Sequence, residues 1–276
     1  EHLPHARLDP LGPDADFELE WVSIYQFACR RIDRFRYGRV LFAGDSAHQV
    51  SPFGARGANS GVQDIDNLAW KLQSVLAGVS PDSLLDSYHD ERALAADDNI
   101  RNSTRSTDFI TPKSATSRLY RDAVLGLARD HAFARPLVNS GRLSLPTRYA
   151  GSPLITEEGD AFDAPAAAPG APCPDAPVTL PDGSAAWLLE CLGAGFTLLV
   201  VGHDPLASSR LPLPVPLAQL RLGEHLNDPR GVLAARLDAG EQAVYLIRPD
   251  RVIAARWRAP SAQQIAQALA RSLGLA

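Results

Sequence analysis

Apolar and polar residues along this chain fall into two periods. Residues 17–25, FELEWVSIY, alternate apolar with polar and predict a half-buried strand. Residues 39–43, RVLFA, form a short apolar run that stops at Gly44, which predicts a buried strand ending in a glycine turn. A glycine-rich loop is expected from Gly44 to Gly61. Beyond it Val62, Ile65, Leu68, Ala69, Leu72, Val75 and Leu76 recur at spacings of three and four, the stripe of an amphipathic helix. Asn59 or Ser60 is its candidate N-cap, and Gly78 with Pro81 ends it. A second helix is expected from Asp82, with Leu84, Leu85, Tyr88, Arg92 and Leu94 on one side, running past Ile100. A third is expected over 117–134.

The pattern then lapses. Residues 161–181 are dominated by Ala, Pro, Gly and Asp, too little apolar surface to order themselves, and read as a linker or extended lead-in. Periodicity resumes with a helix near 184–192, strands at 196–201, 243–248 and 252–257, and a closing helix at 261–273. That order predicts a small α/β domain. The expected division is 1–160, then 161–181, then 182–276.

Composition narrows the function. A hydrophobic share of 45% and a charged share of 21% over 276 residues are those of a globular protein with room for one large or two ordinary domains. A net charge of -5 with scattered arginines gives no footprint for nucleic acid or an anionic membrane. The longest apolar run, 187–202, is broken by Glu190, Gly193 and Gly195 and is too short to span a bilayer. Cys29, Cys173 and Cys191 are odd in number and far apart, without disulfide or metal-ligand spacing, which is cytoplasmic usage. The chain contains no methionine and starts at Glu1, which suggests a piece of a longer polypeptide.

The loop after the 39–43 strand carries the chemistry. A helix N-terminus presents unpaired N–H groups and partial positive charge, which favours an anionic or electron-rich ligand. Gly54, Gly57 and Gly61 lack a β-carbon and let backbone approach such a ligand. Asp45, directly after the strand, is placed to accept hydrogen bonds from ligand hydroxyls, as on a sugar-like chain.

The set Gly44-Asp45-Ser46-Ala47-His48, Pro52, Gly54-Ala55-Arg56-Gly57-Ala58-Asn59, Asp64 and Asn67-Leu68-Ala69-Trp70-Lys71-Leu72 is similar to the second FAD signature of class A flavoprotein monooxygenases. That family includes phenol and hydroxyphenylpropionate hydroxylases and hydroxylases of aromatic polyketides. The resemblance implies that FAD is the cofactor, with NAD(P)H as reductant and a small phenol-like aromatic substrate. It implies that Asp45 holds the ribityl chain, that Gly44 and Gly54 are also cofactor-binding residues, and that Pro52 lies beside the reactive edge of the flavin. Backbone at Gly57, Ala58 and Asn59 would stabilise negative charge on its pyrimidine side. Arg56 departs from the neutral residue usual there. Tyr88, Glu91 and Arg92 match the family pattern of the following helix, as packing and salt-bridge residues. The tail resembles the thioredoxin-like domain of the phenol-hydroxylase branch, through Pro169-Gly170-Ala171-Pro172, the strand at 195–199 and Arg248-Pro249-Asp250. The implied fold is α/β: the C-terminal part of an FAD-binding domain followed by a thioredoxin-like domain. A homodimer is implied by resemblance alone.

The family's first signature, a GxGxxG loop for the ADP half of FAD, is not in the sequence. The chain itself is therefore expected to hold FAD weakly and to be inactive alone. Other readings account for less. A GDS-type serine hydrolase would use Ser46, Asp86 and His89, but it leaves the glycine loop unexplained. A thiol redox protein is excluded where residues 202–207 stand at the Cys-x-x-Cys position with no cysteine. Cys173 and Cys191 then read as lead-in and core residues, and the tail as a non-catalytic structural or dimerisation module. Trp70 and Leu72 read as core, and His48 as a hydrogen-bonded structural histidine.

Overall fold

The computed structural model describes residues 21, 23, 26–52, 54–138, 145–207, 209 and 211–276. Most of the strand expected over 17–25 lies outside the described residues, and Trp21 and Ser23 are in neither helix nor strand. The described chain opens with short pairings. β1 (Arg30–Arg31) pairs antiparallel with β4 (His48–Gln49), and β2 (Arg36–Tyr37) pairs antiparallel with β3 (Val40–Leu41). The apolar run at 39–43 is thus shorter than expected and not wholly buried, since Val40 is exposed in this two-stranded hairpin.

Three helices follow. α1 (Arg56–Leu76) starts three to four residues before either expected cap, because Ala55 takes a left-handed conformation and the glycine segment itself winds into the first turns. Gly78, at φ +71, ends it as expected. A 3-10 turn (Asp82–Leu85) leads into α2 (Asp86–Ile110), and α3 (Ala115–Asp130) is capped by Ser114, whose hydroxyl accepts from the Ser117 amide. A further 3-10 turn and α4 (Arg135–Val138) extend that arm. Leu94, expected on the buried side of α2, is exposed.

α1 corrects the simplest use of the periodicity. Of its apolar stripe, Leu68 is buried, while Val62 and Leu76 are 70% and 79% exposed. The face turned inward is polar and carries Ser60, Asp64, Asn67 and Lys71, all buried.

The tail is built on a four-stranded mixed sheet. β7 (Phe196–Val201) is central, parallel to β8 (Leu217–Arg221) and antiparallel to β9 (Ala243–Ile247), which pairs with β10 (Ile253–Trp257). β8 was not anticipated, and neither was α6 (Val232–Leu237). The helix expected near 184–192 is instead β6 (Ala185–Trp187), paired with β5 (Pro177–Thr179), and only one helical turn, α5 (Leu188–Cys191). A turn at Gly183 (φ +86) joins the two strands as a hairpin, which a helical reading of the alanines overlooked. α7 (Ala262–Ser272) has Ser261 as its cap, with a reciprocal bond to Gln264.

Period two along the sheet sends side chains to opposite faces. Leu199, Val201, Tyr245 and Ile247 face a core closed by Leu188, Leu233 and Leu237. Leu198, Val200, Val244 and Leu246 face α7, and this second core also takes in Trp70 of α1 and Leu84. Trp70 meets Phe196 edge to face at 5.6 Å. The helices and the tail therefore share a core.

The stretch at 161–181 corrects the expectation that it could not order itself. Its small side chains Ala167, Cys173 and Ala176 pack into the tail core, and its backbone bonds along β10, with the Gly170 amide donating to Ile253 O (2.8 Å). No helix among the described residues is long and apolar enough to cross a membrane.

Two glycines mark opposite backbone demands. Gly202 has φ +83, and a β-carbon there would sit 2.5 Å from the Glu241 carbonyl oxygen. Gly126 lies inside α3 with nothing within 4 Å of the added carbon. Urea unfolding should show Gly202→Ala losing on the order of 2 kcal/mol or more of stability, with Gly126→Ala gaining about 0.5–1 kcal/mol.

Candidate functional site

The loop between β3 and α1 folds back on the start of the helix. Gly44, at φ +59, begins a 3-10 turn (Gly44–Ser46). Gly61 lies against it, and a β-carbon on Gly61 would come within 3.3 Å of the Gly44 α-carbon. This corrects the role expected of Gly61: its missing side chain admits the protein's own backbone. The Gly44 amide donates to Asp64 Oδ2 at 2.8 Å, and the Ser46 hydroxyl donates to the Ala43 carbonyl at 2.8 Å. Asp45 projects from the turn. It is exposed, and its carboxylate has no hydrogen bond or ion pair among the described residues.

The chain then passes through Pro52, which is exposed and whose carbonyl accepts from the Ala55 amide at 3.1 Å. Gly54 (φ +88) and Ala55 (φ +49) turn it into α1. Gly57, Ala58 and Asn59 lie in the first turn, where the amides of Gly57 and Ala58 lack intrahelical acceptors and the helix dipole is positive. Gly57 packs toward Val50, and the Asn59 side-chain amide donates to the Ala55 carbonyl at 2.8 Å. The Gly44–Gly61 contact thus brings the Asp45 turn beside this helix end. Arg56 does not face an empty loop: its guanidinium donates to Asn99 Oδ1 (2.5 Å) of α2.

Below this surface lies a buried polar seam. Asp64 Oδ1 accepts from Arg92 Nε (2.6 Å), and its Oδ2 bonds His48 Nε2 (2.7 Å) as well as Gly44. Arg92 also donates to the Tyr149 hydroxyl (2.7 Å) and the Ser60 carbonyl (3.2 Å). One residue earlier on α2, Glu91 takes Arg248 in a two-pronged pair (2.7 and 2.9 Å), Lys71 (2.8 Å), Asn67 (2.7 Å) and Ser152 (2.6 Å). Arg248 also donates to Asp250, which accepts from Asn67 at 3.0 Å.

Burial works against every charge here, and the partners set the outcome. Burial pushes the Asp64 carboxyl up, but His48, Arg92 and the Gly44 amide bring it below its ordinary value. Glu91, despite burial, is held well below the carboxylate range by Arg248 and Lys71. Burial lowers the Lys71 ammonium to about 8, against the pull of Glu91.

The hydrolase triad does not form. Ser46 bonds Ala43, Asp86 pairs with Arg36 (2.9 Å), and His89 Nδ1 accepts from the Phe35 amide (3.3 Å). His48 is buried on Asp64, Trp70 is core, and Cys173 is buried while Cys191 is half-buried. Asp64, Asn67 and Lys71 belong to the sequence motif but have no role assigned by it. Their signal was available: polar residues at 60, 64, 67 and 71 recur at helical spacing, as a core-facing stripe does.

Residues 7–103 match the family model described as an FAD binding domain. The chain is 30% identical over 262 residues to a 4-methyl-5-nitrocatechol 5-monooxygenase of Burkholderia sp, covering 89% of this chain and 45% of the relative. It is 30% identical over 264 residues to a 3-(3-hydroxy-phenyl)propionate/3-hydroxycinnamic acid hydroxylase of Shigella sonnei, covering 88% and 47%. Among solved structures, the ternary complex of aklavinone-11 hydroxylase with FAD and aklavinone superposes with a TM-score of 0.71 at 27% identity, over 98% of this chain and 51% of that one. The chain spans about half the length of the curated relatives it matches.

The seam sets the acid stability. Glu91 and Asp64 have folded values below their unfolded ones, so the unfolded chain takes up protons first as pH falls. Their contribution is complete above the ordinary glutamate value of 4.5 and is lost as pH falls through the lower folded values. Melting curves should show Tm falling between about pH 5 and about pH 3. Glu91→Gln should lower Tm at neutral pH and flatten that acid slope.

Proposed function

We propose, for a chain that belongs by sequence to the class A FAD-dependent aromatic monooxygenases, that it carries the ribityl- and pyrimidine-facing side of the FAD site in an NAD(P)H-dependent enzyme that hydroxylates a phenol-like ring. The observation that carries this is the placement of an exposed Asp45 carboxylate, without a partner among the described residues, beside the N-terminus of α1. The residues present fit the group: a free acceptor for hydroxyls stands beside amides that favour negative charge. FAD supplies the redox chemistry that activates dioxygen. Asp45 accepts hydrogen bonds from ribityl hydroxyls, next to the backbone of Gly44. Amides of Gly57, Ala58 and Asn59 stabilise charge at the pyrimidine edge through fixed dipoles, without a group that titrates. Pro52 contributes a rigid, donor-free edge near the reacting side, and Gly54 lets the loop turn there.

The phenol-like substrate class is supported by the hydroxylated aromatics named for the two curated relatives. The tail is read as a thioredoxin-like, non-catalytic module that packs on the FAD-binding part and supports a dimer. This reading is supported by the strand order of its sheet and by the absence of cysteine from 202–207.

Titration of the purified chain with FAD, followed by flavin fluorescence, tests the site. Weak, saturable binding is expected, and Asp45→Ala should raise Kd about tenfold, or about 1.4 kcal/mol. Asp66→Ala, on the exposed side of α1, should not change it. Stoichiometric yellow protein straight from purification would overturn the expectation of weak retention, and an unchanged Kd in Asp45→Ala would remove Asp45 from the site.

A further inference from the structure

We propose that Arg248, at the β9–β10 turn of the tail, is a positioning residue for the Gly44 turn, acting through the polar seam of α1 and α2. In its bearing on FAD, this rests on the flavin reading of that turn. The connection is continuous. Arg248 grips Glu91 through both guanidinium nitrogens, at 2.7 and 2.9 Å. Asn67 of α1 is held between Glu91 and Asp250, and Lys71 between Asn67 and Glu91. Arg92, the neighbour of Glu91 on α2, grips Asp64, and Asp64 holds the Gly44 amide. A tail residue is thus linked to the turn that presents Asp45 by groups that are each buried and each paired.

Two facts favour positioning over bulk stability. The guanidinium of Arg248 lies 5.2 Å from the Trp70 ring, beside the apolar core that the tail shares with α1. Where a whole buried ion pair is replaced by apolar groups of similar size, stability is often unchanged, so the pairing of Arg248 with Glu91 adds chiefly direction. The bidentate fork also fixes the angle between its partners, which a point charge does not. The segments it joins are far apart in sequence, so the fork orients α1 and α2 against a rigid sheet.

Arg248→Lys keeps the charge and removes the fork, and Arg248→Met serves as a second variant. Hydrogen–deuterium exchange on the full chain, without flavin, should show at least tenfold faster exchange in peptides covering 40–50 and 56–66 of Arg248→Lys. Peptides from β7 and α7 should keep their wild-type rates. Change confined to the tail, or a uniform rise across every peptide in both variants, would overturn the proposal. A parallel FAD titration should show Kd raised at least threefold. If wild-type chain binds no FAD while the exchange pattern holds, the flavin reading fails and the positioning role stands.

Discussion

The buried carboxylate of Glu91 is the constraint around which the described chain is arranged. A buried carboxylate is tolerated only when its lone pairs are filled and its charge is met. Here five donors converge on two oxygens: two nitrogens of Arg248, one each from Asn67 and Lys71, and the Ser152 hydroxyl. They come from the tail turn, from α1 and from the segment that leads into the tail. One charge in the second turn of α2 therefore fixes the register of three other pieces of chain. The next residue, Arg92, points about 100° around the helix and does the same for Asp64, the Ser60 carbonyl and Tyr149.

This arrangement explains why α1 turns a polar face inward. Asp64 meets Arg92 of α2, His48 and the Gly44 amide, while Asn67 and Lys71 meet Glu91 of α2 and Asn67 also Asp250 of the tail, so the helix presents that stripe to them. Much of its apolar stripe is then directed elsewhere, and Val62, Ile65 and Leu76 stand exposed. The remaining apolar contacts, Leu68 and Trp70, flank the polar seam and join it to two separate cores. Among the described residues the seam is electrically balanced, with Asp64, Glu91 and Asp250 against Lys71, Arg92 and Arg248. Balance of this kind lets charges stay buried without an unpaired member.

The sequence made legible what depends on local pattern. The strand at 196–201, the hairpin strands after it, the closing helix and the glycine turn at Gly44 were all readable from period and turn chemistry. What depended on long-range partners was not. β8 is pleated by its parallel neighbour β7 and has no strong alternation of its own, and Ala185–Trp187 is a strand because of a turn at Gly183. Residues 161–181 order through the tail core they border, which their own composition does not reveal. For the site, the motif singled out the loop from Gly44 to Gly61 and gave Gly61 to a ligand, whereas the neighbour of Gly61 is Gly44. The roles of Asp64 and Arg248 stayed hidden because the partners that define them, Arg92 for Asp64 and Glu91 for Arg248, lie 28 and 157 residues away in sequence.

Asp45 and Asp64 show how the same side chain is given two different tasks. Asp64 is buried, accepts from Gly44, His48 and Arg92, and presents no surface to a ligand. Its bonds are used on the protein, and their effect is to fix where Gly44 sits. Asp45, one residue beyond Gly44, is exposed and makes none of these bonds. A hydroxyl-bearing ligand meeting this surface gains from an acceptor whose backbone is already fixed, because less freedom is lost on binding. The exposed residue can therefore act as a ligand contact because the buried one cannot. On this view the selectivity of the turn for a hydroxylated chain resides as much in the seam beneath it as in the carboxylate that touches the ligand.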